Sequence, residues 1–335
     1  MRYRELAPGI EVSEIGFGNW TVTTGWWGAY TEKESADLHR AAFDAGITFF
    51  DTADAYAEGR AEEILGAALS GVRDRVVIAT KFGYDISDAS TAQRRGQQER
   101  RKDFSVDIVR RALDDSLRRL GTEPIDLYQL HNPRMGHLDD DELFAFLDAA
   151  VVAGKIRAYG VALGPKIGWL DEGVHSMRTR SVASVQMIYN LLEQDPGREL
   201  LEAAGETGAR MIVRVPHSSG MLEGNLTADT VFAENDHRRH RPRSWLIEGV
   251  QKIAALGFLS EDMTLGQAAL RWILADARVA STLPNIYGPE QISEFAAASD
   301  RRDLTADELA RVAELYERNF GVEASDDDTR LNQSA

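Results

Sequence analysis

Short apolar segments alternate along this chain with amphipathic segments of helical periodicity. The apolar segments have hydrophobic residues at successive positions, which is typical of strands that are buried on both faces. Eight segments predict strands: Ile15–Gly18, Ile47–Thr52, Val76–Lys81, Ile125–His131, Ile156–Ala162, Ser184–Ile188, Arg210–Val215 and Ser281–Pro284. The helical patterns lie at about Glu32–Ala45, Ala61–Ser70, Ser105–Leu120, Asp140–Ala153, Gly197–Thr207 and Leu265–Ala275.

Strands that alternate with helices in this way form a parallel sheet, and eight such units most simply close into a (β/α)8 TIM barrel of the α/β class. A doubly wound open sheet is the alternative. It normally carries a Gly-rich turn after its first strand, which Gly16-Phe17-Gly18 does not complete. A β-hairpin, Tyr3–Leu6 and Glu11–Ser13, precedes the first unit. We expect a single domain over residues 1–320 and a polar, acidic tail over residues 321–335.

Composition and charge narrow the class of protein. The chain has 335 residues, of which 43% are hydrophobic, and a formal net charge of −16 at pH 7. It has no apolar run of about eighteen residues and no apolar start, so it is predicted to be soluble and cytoplasmic, with no membrane span. The negative charge argues against a nucleic-acid partner. Cysteine is absent, which excludes disulfides, thiolate zinc sites and cysteine nucleophiles, and we predict no metal. No heptad or apolar stripe predicts an oligomeric state.

Two basic segments interrupt the acidic background, one within residues 94–102 and the other within residues 237–243. Each is interpreted either as a solvated loop or as part of an anion-attracting rim around a site for a phosphate-bearing ligand.

Ionisable side chains stand at the ends of three consecutive predicted strands. Asp51 ends the second strand, Lys81 ends the third and His131 ends the fourth, while Tyr56 follows shortly after Asp51. In a barrel these strand ends meet at one mouth, where active sites lie. A buried lysine needs a carboxylate partner, which Asp51 provides, and a buried cation beside a phenol makes Tyr56 a better proton donor. His131 would polarise a carbonyl oxygen in the same site. We therefore predict Asp51, Tyr56, Lys81 and His131 to be catalytic.

The chain resembles the aldo-keto reductase superfamily from about Met1 to Ala298. The stretches that carry this resemblance begin at Val12-Ser13-Glu14-Ile15-Gly16-Phe17-Gly18, and continue with Phe50-Asp51-Thr52-Ala53-Asp54-Ala55-Tyr56, Ala79-Thr80-Lys81, Asp126-Leu127-Tyr128-Gln129-Leu130-His131, Gln186-Met187-Ile188-Tyr189-Asn190, Ser219-Gly220-Met221-Leu222, Ala269-Leu270-Arg271-Trp272 and Pro289-Glu290-Gln291. The resemblance implies a barrel capped by the N-terminal hairpin, with NADPH or NADH extended across the strand ends. It also implies that Tyr56 protonates the carbonyl oxygen, that Lys81, paired with Asp51, assists it, and that His131 orients the substrate.

The same resemblance implies a set of cofactor contacts. Gln186 corresponds to a residue that contacts the nicotinamide carboxamide, and the loop at Ser218, Gly220 and Leu222 corresponds to one that holds the pyrophosphate. The complete predicted set is Asn19, Trp20, Asp51, Gln186, Arg214, Ser218, Gly220, Leu222, Tyr287 and Gln291.

The chain departs from the family pattern mainly at this cofactor end. Ala162 and Leu163 replace two polar residues, and Arg214 stands where an aromatic residue commonly stacks on the nicotinamide. Tyr287 aligns with the position that often holds the 2′-phosphate, and Phe295 aligns with a usual asparagine. NADPH is the predicted cofactor, NADH is possible, and the arginines of the 237–243 segment are an alternative site for the phosphate.

We predict that Trp20, Trp26, Trp27, Tyr56 and His131 line the pocket for a small carbonyl substrate, and that the Phe82–Phe104 loop either forms a lid or is a mobile loop.

The leading functional hypothesis is reduction of aldehydes or ketones. A cofactor-sensing subunit, like the potassium-channel beta subunits with the same barrel, is a second hypothesis. An isomerase or aldolase with a Schiff base on Lys81 is a third.

Overall fold

The computed structural model describes residues 1–86, 100–164, 169–234 and 236–323. Its centre is a sheet of eight parallel strands in sequential order. These strands are β3 (Phe17–Gly18), β4 (Phe49–Asp51), β5 (Val77–Phe82), β6 (Ile125–His131), β7 (Ile156–Ala162), β8 (Ser184–Ile188), β9 (Arg210–Arg214) and β10 (Val279–Leu283). A parallel bridge between Ile15 and Thr282 joins the two edges of the sheet. The predicted barrel is confirmed, and the open doubly wound sheet is excluded.

Helices cover the outside of the strands. They are α1 (Trp20–Thr23), α2 (Glu32–Asp44), α3 (Arg60–Leu69), α4 (Val106–Leu120), α5 (Met135–Leu138), α6 (Asp141–Val152), α7 (Leu170–Arg180), α8 (Gly197–Thr207), α9 (Arg243–Ala254), α10 (Leu265–Leu274), α11 (Pro289–Ala298) and α12 (Ala306–Glu317). All six predicted helices are present, but the hydrophobic pattern missed the one-turn helices α1 and α5 and the longer helices α7, α9, α11 and α12. In α7 the reason is visible, because three of its four buried residues, Glu172, Gly173 and Ser176, are not hydrophobic.

The N-terminal hairpin closes the barrel at the end opposite the strand carboxyl termini. It pairs β1 (Tyr3–Ala7) with β2 (Ile10–Ser13) in antiparallel fashion. Leu6, Ile10 and Val12 are buried and pack in one cluster with inward-facing strand residues such as Phe49 and Leu127. Apolar area removed from water holds the hairpin in place. The carboxyl ends of the strands therefore remain as the accessible end of the barrel.

Several strand boundaries differ from the prediction by one or two residues, and the first and seventh barrel strands are two of them. The first barrel strand contains only Phe17–Gly18, with Ile15 contributing a single bridge. The seventh ends at Arg214, because Val215 adopts a left-handed conformation with φ of 56° that a strand cannot continue. The predicted tail lies outside the described residues from residue 324 onward. Of the helices just given, none has both the length and the apolar character needed to cross a membrane.

Two fully buried histidines make folding stability depend on pH. Burial lowers the pKa of His39 and of His217 to about 4, although each ring also bonds a backbone group that favours its charged form. The unfolded chain takes up these protons as pH falls through about 6.5, and the folded chain only near 4. Each histidine therefore contributes stability above pH 6.5 that is lost as pH falls. The expected loss at about pH 5 is about 2 kcal/mol per histidine.

Urea unfolding at about pH 7.5 and about pH 5 measures this loss. A His39→Gln variant keeps an amide donor for Asn19, the partner of His39 Nε2 at 2.8 Å, but cannot titrate. This variant should lose less stability than the wild type between the two pH values. Equal losses in the two proteins would contradict the assignment.

Candidate active site

Lys81 and Asp51 form a buried ion pair at the carboxyl ends of neighbouring strands. Lys81 Nζ donates to Asp51 Oδ1 at 2.5 Å, to the carbonyl oxygen of Thr52 at 2.8 Å and to the Tyr56 hydroxyl at 3.3 Å. The side chains of Lys81 and Asp51 are 1% and 5% exposed. Burial alone would lower the pKa of Lys81, but the charge of Asp51 and the contact with Tyr56 raise it. Lys81 is therefore a fixed ammonium whose three N–H bonds are all engaged.

The second carboxylate oxygen of Asp51 is also held in place. Asp51 Oδ2 accepts a hydrogen bond from Gln129 Nε2 at 3.0 Å and another from Gln186 Nε2 at 2.9 Å. The amide group that was predicted to meet the cofactor at Gln186 is thus bonded to Asp51. Sequence reasoning missed Gln129, although a polar residue inside an apolar strand, two positions before His131 on the same face, was a usable signal. Both amides orient the carboxylate towards Lys81.

A strained turn presents Tyr56 to this ion pair. The residues directly after it, Ala57 and Glu58, have left-handed backbones with φ of 46° and 57°, and Gly59 follows with φ of 87°. Left-handed conformations in Ala and Glu are costly and are found mostly where the surrounding structure enforces them. The turn places Lys81 Nζ 4.9 Å from the centre of the Tyr56 ring. The position of the phenol is therefore fixed by the fold rather than by a flexible loop.

His131 completes the constellation at the end of β6. Its ring meets the Tyr56 ring edge-on, with 6.0 Å between centroids. Burial lowers its pKa well below the ordinary value of a histidine, and the positive charges of Lys81, Arg214 and Lys102 lower it further. His131 is therefore neutral at pH 7, so it has one N–H donor and one acceptor nitrogen. Its Nδ1 is buried and has no hydrogen-bond partner among the described residues.

The wall beside His131 contains residues that the sequence did not predict. Tyr84 and Lys102 form an antiparallel bridge that brings together the two ends of the long loop after β5. Asn132 Nδ2 donates to the Tyr84 hydroxyl at 2.6 Å, and Lys102 Nζ donates to the Asn132 carbonyl oxygen at 2.8 Å. The Tyr84 ring lies 4.8 Å from the ring of His131. The middle of this loop, at residues 87–99, lies outside the described residues, and so does the first part of the predicted basic segment 94–102.

The predicted tryptophans of the pocket occupy different surroundings. Trp20 begins α1 directly after β3, and Trp26 is 39% exposed. The Arg238 guanidinium carbon lies 4.7 Å from the centre of a Trp27 ring. Trp27 and Arg238 thus connect the loop after the first barrel strand with the loop after the seventh. Trp27 is thus half-buried beside Arg238, whereas Trp26 is exposed.

Asn19 is bonded inside the protein. Its amide nitrogen donates to Thr52 Oγ1 at 3.1 Å and to the Ala61 carbonyl oxygen at 3.0 Å, and its side-chain oxygen meets His39 Nε2 at 2.8 Å. Asn19 is buried, with 1% of its surface exposed. The Asn19 side chain therefore links the residue that follows β4 to α2 and α3.

The loop after β9 brings a left-handed turn next to two arginine side chains. Ser218, Ser219 and Gly220 have φ of 46°, 57° and 89°, so three successive residues are left-handed. Arg241 Nη2 donates to Ser219 Oγ at 3.3 Å, and a Cβ added to Gly220 would come within 2.9 Å of Arg238 Nη1. A left-handed turn flanked by two guanidinium groups suits a pyrophosphate. The amide of Leu222, however, already donates to the His217 carbonyl oxygen at 3.0 Å.

The predicted 2′-phosphate position is occupied by a hydrogen-bonded tyrosine. Tyr287 donates its hydroxyl to Glu223 Oε2 at 2.6 Å, and its carbonyl oxygen accepts from the Tyr30 hydroxyl at 3.0 Å. Burial raises the pKa of Glu223, while the bond from Tyr287 and the charge of Arg238 lower it. Nearby, Gln291 Oε1 is buried without a partner in the described part of the chain. The Tyr287 hydroxyl is thus an internal donor in this structure.

Arg214 is the last residue of β9, at the carboxyl end of the strand, and its side chain contacts the loop after β7. Its Nη2 donates to the carbonyl oxygens of Leu163, at 3.2 Å, and of Gly164. A Cβ on Gly164 would come within 1.8 Å of the Trp169 ring, so only glycine allows this packing. Burial lowers the pKa of Arg214, and the neighbouring Tyr56 and Asp51 raise it. A guanidinium remains charged under these conditions.

Comparison with known proteins agrees with this geometry. The model of the Aldo/keto reductase family matches residues 14–317. The aldo-keto reductase YhdN of Bacillus subtilis (strain 168) is 33% identical over 293 residues, which cover 82% of this chain and 81% of that protein. The NADH-specific methylglyoxal reductase of Escherichia coli (strain K12) is 28% identical, with 92% and 97% covered. The glycerol dehydrogenase AKR11B4 from Gluconobacter oxydans, at 26% identity, has a TM-score of 0.80 over 97% of this chain and 98% of that chain. The chain therefore belongs to the aldo/keto reductase family of oxidoreductases.

Proposed function

We propose that this protein reduces aldehydes or ketones to alcohols with a nicotinamide cofactor, and that Tyr56 gives the proton. The observation that supports this most is the buried series Asp51–Lys81–Tyr56, in which a fixed ammonium touches the phenol hydroxyl at 3.3 Å. Such a cation stabilises the phenolate that remains after the proton has left. A substrate carbonyl oxygen at the mouth accepts one hydrogen bond from Tyr56 and a second from neutral His131.

The reaction needs a hydride donor in addition to these residues. A dihydronicotinamide held by the residues named below would supply the hydride for the carbonyl carbon. The turn at Ser218–Gly220, with Arg238 and Arg241 beside it, would hold the pyrophosphate, and Arg214 would lie at the nicotinamide end. NADPH is the proposed cofactor and NADH the alternative. The name of the Escherichia coli relative, which specifies NADH, makes a direct comparison of the two cofactors necessary.

Small polar carbonyl compounds are the proposed substrates. The names of the two relatives that act on methylglyoxal and glycerol support this class. The ring of Tyr84 lies beside the donors Tyr56 and His131, and we propose Trp27 as a further wall of the pocket. Such walls suit a short oxygenated substrate, with apolar surface to pack against and polar groups to fix its orientation.

The central experiment is a fluorescence titration of the purified protein with NADPH and with NADH, followed by a multiple-turnover assay on a panel of small aldehydes and ketones. We expect saturable binding and repeated turnover. Oxidation of only one equivalent of bound cofactor, with no turnover on any substrate, would favour the sensing-subunit hypothesis. The Schiff-base hypothesis predicts borohydride trapping of substrate on Lys81. The three hydrogen bonds of its ammonium argue against that outcome.

Arg241 offers a test of the proposed pyrophosphate cradle. Replacing it with Ala removes a charged donor beside Ser219 and should raise the dissociation constant of the cofactor about tenfold or more. The dependence of binding on salt should also become weaker. Arg239→Ala is the matched control, because Arg239 is 54% exposed and lies 3.6 Å from exposed Glu234. Equal effects of the two substitutions would show that only net charge matters there.

A further inference from the structure

Arg214 is a cation at the mouth of the barrel that the proposed proton transfer does not use. Lys81 is neutralised by Asp51 at 2.5 Å, and that pair accounts for both charges. Arg214, by contrast, donates to two backbone carbonyl oxygens, those of Leu163 and Gly164. Among the described residues no carboxylate lies within 4 Å of its guanidinium. Within the described part of the chain, the positive charge of Arg214 is therefore compensated by backbone dipoles and by more distant groups.

The charge of Arg214 acts at the reacting centre. It interacts electrostatically with Tyr56, Asp51 and Tyr84, and it also contributes to the lowered pKa of His131. These are the groups that surround the position of a substrate carbonyl. A ring that gives or accepts a hydride must bring its carbon within about 3–3.5 Å of that carbonyl carbon. Arg214 is the last residue of β9, so a nicotinamide that reacts beside Lys81 and His131 lies at the same end of the barrel as this guanidinium.

The two redox states of a nicotinamide differ in charge at this ring. The oxidised ring is a pyridinium with a positive charge, whereas the reduced dihydropyridine ring is neutral. A fixed cation at the same mouth repels the first and leaves the second almost unaffected, and burial of the site strengthens this repulsion. Other parts of the cofactor are the same in both states. The charge of Arg214 can therefore change the ratio of the two affinities.

We infer that Arg214 is a specificity-determining residue that makes the site select the reduced cofactor over the oxidised one. The inference rests on the proposed function, because it assumes that a nicotinamide binds at the mouth. The protein then loads with reduced cofactor and releases oxidised cofactor readily, even when both are present. This selection favours carbonyl reduction over alcohol oxidation as its working direction, since oxidised cofactor competes weakly for the site.

The test compares dissociation constants for oxidised and reduced cofactor in the wild type and in variants at this position. Fluorescence titration gives the reduced form, and displacement of the reduced form gives the oxidised form. R214M removes the charge and keeps a long apolar side chain, whereas R214K keeps the charge. R210M is the matched control, because Arg210 is the first residue of the same strand and its Nη1 donates to the Ala277 carbonyl oxygen at the opposite end of the barrel.

In R214M the ratio of the oxidised to the reduced dissociation constant should fall roughly tenfold or more, chiefly through tighter binding of the oxidised form. A tenfold fall corresponds to about 30 mV in the midpoint potential of the bound two-electron couple. R214K and R210M should keep the wild-type ratio. Binding of the reduced form to R214M also shows that the variant is folded.

Three results would overturn the inference. The first is an unchanged ratio in R214M while both forms still bind. The second is a fall that comes only from weaker binding of the reduced form, which would mean that Arg214 acts as a hydrogen-bond donor. The third is the same fall in R214K, which would show that shape and not charge matters. If neither form binds to the wild type, the proposed function itself fails, and the inference fails with it.

Discussion

Replacing Tyr56 with Phe is expected to lower kcat about 10²- to 10⁴-fold while leaving the affinity for the cofactor nearly unchanged. The phenol hydroxyl is the group that Lys81 Nζ touches at 3.3 Å, and its removal takes away the proton donor without removing the ring. The ring still packs edge-on against His131. The loss should therefore appear in the chemical step and not in folding.

Steady-state kinetics with a reactive aldehyde, together with a cofactor titration, measures both quantities. Tyr159→Phe is the matched control, because the Tyr159 hydroxyl donates to Asp148 Oδ1 at 2.8 Å and its ring packs against Phe144 of α6, outside the barrel. This control should retain most of its turnover. Wild-type turnover in the Tyr56 variant would refute the proposed role of the phenol as proton donor.

Replacing Lys81 with Met is expected to damage both catalysis and folding. The substitution leaves the carboxylate of Asp51 buried and unpaired, apart from the amide donors of Gln129 and Gln186. Breaking a buried ion pair by removing one partner costs about 3–5 kcal/mol of unfolding free energy. Turnover should fall as well, because the charge that stabilises the Tyr56 phenolate has gone. Urea unfolding and steady-state kinetics measure the two effects.

A second substitution separates these effects. In the Lys81→Met, Asp51→Asn double variant no buried charge remains without a partner, so much of the lost stability should return. Turnover should stay low, since the ammonium beside Tyr56 is still missing. A double variant that regained both stability and turnover would mean that Lys81 acts only as a structural ion-pair partner. One that regained neither would contradict the pairing itself.

Much of the candidate site followed from the order of residues along the strands. Asp51, Lys81 and His131 each end a predicted strand, and the parallel barrel brings such ends to one mouth whatever the side-chain details. The partners of these residues were less accessible to sequence reasoning. Gln186 was predicted as a cofactor contact, yet its amide donates to Asp51. Differences of a few tenths of an ångström decide which of two nearby groups an amide bonds. The order of residues along the chain does not contain these distances.

The helices also include some that the sequence predicted and some that it did not. A helix with an apolar stripe, such as α4 with its buried Val109, Leu113 and Leu117, is visible in the sequence. α7 is not, because it buries Glu172, Gly173 and Ser176 against other elements. The hydrophobic periodicity of a segment reveals the buried face of a helix only where the buried residues are apolar. Where the buried residues are polar or small, packing against elements that are distant along the chain stabilises the helix instead.

The sequence by itself determined the barrel, the family resemblance and the strand ends at which Asp51, Lys81 and His131 stand, because these depend on the period of hydrophobic residues and on the right-handed βαβ connection. Only the tertiary structure decided which charges neutralise each other. It pairs Lys81 with Asp51 at 2.5 Å, places Arg241 beside Ser219 and leaves Arg214 on two backbone carbonyl oxygens. Electrostatic interactions depend on distance and burial in three dimensions, and a chain fixes both only when it folds.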